Sequence, residues 1–470
     1  MSRNEFERVI VWFRRDLRVN NNAALSAACL AANQVIPLFI LDEEFLKLPD
    51  TGAASVSFLL DALRVLDRNL KKAGGRLIVL RGSAPKDLLK AAEEYDAQAV
   101  FFHREYEPNG RRRDEFVVEG LRSSGKVARS FPGLCLSEPG DILTTSSKPY
   151  TVFTPFKRKW FDDPVSLPVK SPVTINVPAE ISSPEIPSEG ELSIKVSQKF
   201  DCGGEDAAKE LLEKFSREKV SSYEYQRDRL ASNGTSKLSS HLHFGTISPS
   251  SIVHDVRNKP NAETFLSEIA WRDFYFQILF HFPYVEKACF RASLNNIHWE
   301  DDEQLFRAWC EGKTGYPIVD AAMRQLNQEA WMHNRARMIV ASFLTKDLLI
   351  NWQHGERHFM RHLVDGDLAA NNGGWQWSAG TGTDAQPYFR IFNPTAQGER
   401  FDPDGEYVKK YVPELRKLPS AVIHSPWKLS SLEQEACGCV LGRDYPWPVV
   451  DHKVQRLRAL ELYKAAGEVN

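Results

Sequence analysis

The chain has 470 residues, 42% hydrophobic and 26% charged, which is globular composition and too long for one ordinary core, so two domains are expected. A formal net charge of -2 excludes a polybasic nucleic-acid binder, although a local basic surface stays open. The sequence contains no apolar run of about 18 residues and no secretory start, and its seven cysteines are scattered, so a soluble cytoplasmic monomer with free thiols and no membrane partner is expected.

From Arg8 to about Phe131, apolar runs of strand length alternate with helical patterns. The runs are Val9 to Phe13, Val35 to Leu41, Leu77 to Leu80 and Ala99 to Phe102. The helical stretches lie near Ala23 to Ala32, Val56 to Ala73, Pro85 to Glu94 and Gly110 to Ser123. This order predicts a Rossmann-like α/β domain over residues 1–135, a parallel sheet with helices on both faces. No glycine-rich phosphate loop follows the first strand. Trp12-Phe13-Arg14-Arg15-Asp16-Leu17-Arg18, at that strand's end, reads on its own as a solvated charge cluster.

Prolines at 164, 168, 172, 178, 184 and 187 mark residues 136–205 as a connection with a long irregular stretch. Beyond it, residues 206–470 predict an all-helical domain. Its clearest helices are Ala207 to Lys219, Asn261 to Phe282, Asp320 to Leu349 and Glu356 to Val364, with a closing helix from Val450 through Lys464.

Four patterns in the helical part carry chemistry. Thr235-Ser236-Lys237-Leu238-Ser239 is a hydroxyl-rich turn of the kind that either caps a helix or holds phosphate. Glu268, Trp271, Arg272 and Tyr275 fall at i, i+3, i+4 and i+7, an odd stripe for a core. Trp331, Asn334, Arg335 and Met338 repeat that spacing and suit the wall of a pocket for an aromatic ligand. The run from Asp365 to Trp377 packs carboxylates, amides, glycines and two tryptophans into one stretch, able to fix a flat heterocycle. His354, His358 and His362 are spaced by four, but without an H-E-x-x-H pattern they read as a solvated polar face, not a metal site.

The segment from Trp331 to Trp377, with Phe389-Arg390-Ile391-Phe392-Asn393-Pro394, resembles the DNA photolyase and cryptochrome family, closest to class I cyclobutane pyrimidine dimer photolyases. The N-terminal Trp12 to Arg18 stretch and His241-Leu242-His243-Phe244-Gly245 extend the likeness along nearly the whole chain. The resemblance implies FAD in the helical domain, UV-damaged DNA as partner and light-driven dimer splitting, with a cryptochrome-type blue-light receptor as the alternative. It implies FAD contacts from Tyr223, Thr235, Ser236, Lys237, Leu238, Ser239, Gly366, Asp367 and Asn371, with Arg337 and Asp365 as an ion pair at the flavin ring. Asn371 would lie near flavin N5, where an amide favours the reduced cofactor and hence repair.

For the lesion and DNA the resemblance implies Glu268 as hydrogen-bond partner and Trp271 and Trp377 as aromatic sides, with Asn334, Met338, Arg272 and Tyr275 nearby. Arg227, Arg335, Gln397 and Lys157-Arg158-Lys159 are candidates for phosphate contact. Trp299, Trp352 and Trp375 match an electron-hopping chain. A second, antenna chromophore is left open between methenyltetrahydrofolate, a deazaflavin and an empty site: Asn109 matches a folate-contacting loop, but Gly110 replaces the usual acid and the Cys-Lys pair is missing near Glu286 and Lys287.

Overall fold

The computed structural model describes residues 4–163, 168–172 and 174–467, so Pro164 of the proline-rich connection and both chain ends lie outside it. The backbone gathers into two compact units. The first comprises the described residues of Met1–Val196 together with Asp201–Ser221 and Ser236–Pro283; the second comprises Ser197–Phe200, Ser222–Thr235 and the described residues of Tyr284–Asn470.

In the first unit, β1 (Phe6–Phe13), β2 (Ala32–Asp42), β3 (Ile78–Gly82), β4 (Ala99–His103) and β5 (Val127–Phe131) form one parallel sheet in the order β3-β2-β1-β4-β5. Val9 to Phe13 and all of β4 are buried, as strands covered on both faces must be. β5 escaped the pattern of apolar runs because it is an edge strand: Val-Ala-Arg-Ser-Phe pairs only with β4, and none of its residues is fully buried.

The Trp12 to Arg18 stretch is not a solvated cluster. Asp16 and Arg18 are each 3% exposed, and Asp16 holds His103 at 2.7 Å while accepting the Arg14 amide. Arg15 donates to the His243 carbonyl, the Leu17 amide to that of Phe244 and Arg18 to that of Gly245. These bonds clamp the His241 to Gly245 segment onto the end of β1. Gly245 has φ +64°, and a Cβ there would lie 1.8 Å from the Arg15 carbonyl oxygen, so only glycine fits.

The second unit is helical around a core that includes Trp309, Met323, Val340, Trp352 and Trp375. The long helix expected over Asp320 to Leu349 is broken. Pro317–Glu329 ends on Ala330 in the left-handed region at φ 49°, and a new helix starts at Asn334 with the His333 ring as its cap. After Ser342 the turns widen into a π-helix over Phe343–Asp347. The closing helix runs His452–Gly467.

Candidate functional site

In the first unit, about half of the residues of the Glu263–His281 helix are buried, and Glu268, Trp271, Arg272 and Tyr275 are among its half-exposed residues. Trp271 stacks on Phe153 with centroids 3.7 Å apart and planes within 11°, and Tyr275 tilts against it at 5.4 Å. Arg272 does not turn outward as a DNA contact would. Its guanidinium donates to the Leu134 carbonyl at 2.6 Å and lies 4.7 Å above the Phe276 ring, which makes it a brace for the helix.

Asp273 completes that brace and was missed, because a lone acid among apolar neighbours has no spacing signature. Its Oδ2 accepts from the Leu136 and Ser137 amides and the Trp160 indole at 2.9 to 3.1 Å. Full burial outweighs those donors and pushes its carboxyl up to about 6. On the same unit, Lys237 sits at φ 56° and the Ser236 hydroxyl accepts the Leu238 amide at 3.4 Å, so the turn folds back just before the Ser239–His243 helix. Of the basic candidates on the Phe153–Asp162 helix, Lys157 pairs with Glu263 at 3.4 Å, while Arg158 and Lys159 are exposed.

Asn109 is exposed in the first turn of the Pro108–Ser123 helix, and its side-chain oxygen accepts from Arg112. A Cβ at Gly110 would come 2.7 Å from that of Glu105, so the missing acid could not be accommodated without a shift.

In the second unit, the Asn334–Ser342 helix packs on the Leu368–Ala379 helix. Trp331 precedes the first of these and is not on its face, contrary to the one-helix reading. Asn334 and Met338 do share a face, with the amide nitrogen 4.0 Å from the sulfur. Arg337 grips both oxygens of Asp365, at 2.8 and 3.0 Å, and donates to the Met332 carbonyl at 2.9 Å. Asp367 caps the Leu368–Ala379 helix by accepting the Ala370 amide at 3.0 Å, and Gly366 is buried beside it. The run after Asp367 is therefore helix, and its glycines keep ordinary helical φ.

Half-exposed Asn371, Gly374 and Trp377 lie along this helix at i, i+3 and i+6. The Asn371 amide nitrogen donates to the Glu356 carbonyl at 3.0 Å, which fixes the side chain. A ladder that sequence reasoning did not find holds the buried side: Asn372 donates to Glu356 and the Val285 carbonyl, and Gln376 to Asn372, Val285 and Ala288. Tyr223 is buried with the Arg227 guanidinium 6.0 Å from its ring, and Thr235 is half-buried. Arg335 is turned to Asp228 at 2.9 Å, and Gln397 carries a buried side-chain oxygen without a partner.

His358 is not on a solvated face. It packs on Trp309, stacks on His362 at 4.0 Å and approaches the Cys310 sulfur at 3.5 Å. Among the described residues no group of three or more His, Cys, Asp or Glu is placed to hold a metal. His333 and His241 are buried, and burial lowers both to about 4. The stability they lend is therefore present above their unfolded value near 6.5 and lost as pH falls through 4. Nitrogen-15 NMR of the two rings should show neutral imidazole at pH 6, where free histidine is mostly charged.

Residues 9–173 match the family model described as DNA photolyase, and residues 265–465 match FAD binding domain of DNA photolyase. The chain belongs to the DNA photolyase family. It is 42% identical to the deoxyribodipyrimidine photo-lyase of Agrobacterium fabrum, over 97% of this chain and 98% of that protein. The crystal structure of a class III photolyase from Agrobacterium tumefaciens superposes with a TM-score of 0.93 at 40% identity, covering 100% of this chain and 99% of that one. A Sulfolobus tokodaii photolyase with two FAD molecules gives 0.86 at 33% identity, covering 97% and 100%.

As a photolyase the chain takes FAD as its cofactor, and its residues suit one. A Cβ at Gly374 would meet nothing within 4 Å, so the Asn371-Trp377 face keeps open space at its middle. In the same unit, half-buried Arg337 paired with buried Asp365 presents fixed charge, and Asn371 presents a fixed amide.

Proposed function

We propose that this photolyase is a light-driven DNA repair enzyme, a deoxyribodipyrimidine photo-lyase that splits cyclobutane pyrimidine dimers in UV-damaged DNA. The stripe on the Glu263–His281 helix carries the reading: an acid, an indole and a phenol stay half-exposed at i, i+3 and i+7 on one face of a helix whose other face is core. An indole whose one face is backed by Phe153 is a rigid platform for a flat base. Glu268 beside it, when in its protonated form, would donate a hydrogen bond to a base carbonyl as negative charge develops there.

FAD, when bound, supplies light absorption and the electron. The chain's own groups do the rest. Arg337, Asp365, Asp367 and Asn371 would orient the flavin, and Asn371 offers an amide that acts as neither acid nor base at physiological pH. Tyr223, Thr235 and the Ser236 to Ser239 turn would hold the phosphates. Asn334, Met338 and Trp377 would border the lesion after it leaves the base stack, an extrusion that costs a few kcal/mol and least at damaged sites. Trp375, Trp352 and Trp299 would pass electrons inward to restore the reduced cofactor. A monomer in the reducing cytoplasm suits the chain, which has scattered cysteines and no disulfide among the described residues. A second, antenna chromophore would meet exposed Asn109 in the first turn of the Pro108–Ser123 helix.

The double variant Glu268→Ala, Trp271→Ala tests the function. A blue-light receptor keeps its photochemistry and its response after this change. A repair enzyme should lose at least about tenfold in dimer-splitting turnover, since one hydrogen bond to a charged group contributes about 1.5–3 kcal/mol. Wild-type-like repair of irradiated DNA by the variant would overturn the assignment.

A further inference from the structure

We propose that Phe153 is a positioning residue for lesion recognition, setting the plane of the Trp271 indole before any DNA arrives and so fixing the lesion's affinity. The inference rests on the stacking role proposed above for Trp271. Phe153 lies parallel to the indole, with centroids 3.7 Å apart and planes within 11°. The other two rings against Trp271 are not parallel to it: Phe274 meets it edge-on at 5.6 Å, and Tyr275 is inclined by 32°. Phe153 is 7% exposed, whereas Trp271 is half-exposed. The phenyl ring is therefore the inner member of the pair, and the indole is reached from the parts that Phe153 does not cover.

Phe153 belongs to the connection between the two domains expected from sequence, outside every stripe that helical spacing singles out. It opens the Phe153–Asp162 helix, whose Val152 cap makes no side-chain hydrogen bond and whose first turn closes at a long 3.5 Å. Local structure does little to place the ring, so packing has to. Phe153, Phe156 and Trp160 fall at i, i+3 and i+7 and are the buried residues of this helix. Phe153 and Phe156 meet Phe274 at 5.8 and 5.3 Å, and Trp160 Nε1 donates to Asp273 at 2.9 Å. These contacts along the Glu263–His281 helix fix where Phe153 stands. An indole free to turn about its two side-chain torsions would sample several orientations, and a base stacking on it would have to freeze one. Phe153 makes that choice in advance. Such preorganisation acts on binding of the lesion, so it lowers KM and leaves the splitting step unchanged.

The test uses the full chain with reduced FAD and a duplex carrying one thymine dimer, against the same duplex undamaged. Phe153→Leu removes the flat ring and keeps an apolar side chain. It should weaken dimer affinity about three- to tenfold, the worth of one aromatic pair. Affinity for undamaged duplex and the splitting rate at saturation should stay within about twofold of wild type. Trp271→Ala should weaken dimer affinity too, and adding Phe153→Leu to it should cause no further loss, because the ring then has no indole to hold. Should Phe153→Leu fail to fold, Phe153→Met decides by the same measurements. Wild-type dimer affinity in the Phe153 variant, or losses that multiply in the double variant, overturns the proposal. Wild-type dimer affinity in Trp271→Ala would instead remove the stacking role itself, and with it the reading on which the proposal rests.

Discussion

Arg337→Ala should yield a protein that is both less stable and pale. Asp365 has a side chain only 2% exposed, and Arg337 grips both of its oxygens. Removing the guanidinium leaves a buried carboxylate without its partner, which costs about 3–5 kcal/mol when a buried pair is broken from one side. The Met332 carbonyl loses its donor at the same stroke. Because Asp365 lies two residues before the cap of the helix that carries Asn371, Gly374 and Trp377, FAD should be lost on purification. Denaturant unfolding and flavin absorbance after gel filtration check the two halves. Arg337→Lys should recover charge but not the two-oxygen grip, and so fall between.

Asp273→Ala is the second large loss. One carboxylate oxygen satisfies the Leu136 and Ser137 amides and the Trp160 indole, so its removal orphans three donors inside the first unit. At about 1–3 kcal/mol for each unsatisfied buried group, and with partial relaxation, a loss of about 3–5 kcal/mol is expected. The same residue supplies a pH signature. Its folded value, about 6, lies above the ordinary carboxyl value of 3.8, so its contribution is full below the unfolded value and is lost as pH rises through 6. A rise of that size corresponds to about 3 kcal/mol at the limit. Asp273→Asn, which keeps an oxygen for the three donors, should abolish this part of the pH dependence. Chemical denaturation of both proteins at pH 5 and pH 7.5 measures the difference. Equal pH dependence in the two would show that burial does not raise this carboxyl.

Much of the architecture follows from local chemistry that the sequence states openly. Unbroken apolar runs such as Val9 to Phe13 have to be covered on both faces, which implies helices on either side of a parallel sheet. The face arithmetic of Glu268, Trp271, Arg272 and Tyr275 survives folding because helical spacing is local. The Arg337-Asp365 pair was recognisable only through family likeness, since nothing in the spacing of residues 28 apart says they meet.

What tertiary structure alone decided concerns where polar groups find partners. β5 is a strand because β4 offers it an edge, not because its own residues demand one. The Trp12 to Arg18 stretch is buried because carbonyls of the His241 to Gly245 segment meet its guanidinium and amide groups. Arg272 turns inward to Leu134, Asn371 spends its amide on Glu356, and Ala330 breaks a helix that periodicity would have continued. Residue type thus determined which chemistry the chain could perform. Only long-range hydrogen bonding and packing determined which of those groups stay available for a ligand, because a buried donor or acceptor must be satisfied by whatever the fold brings near it.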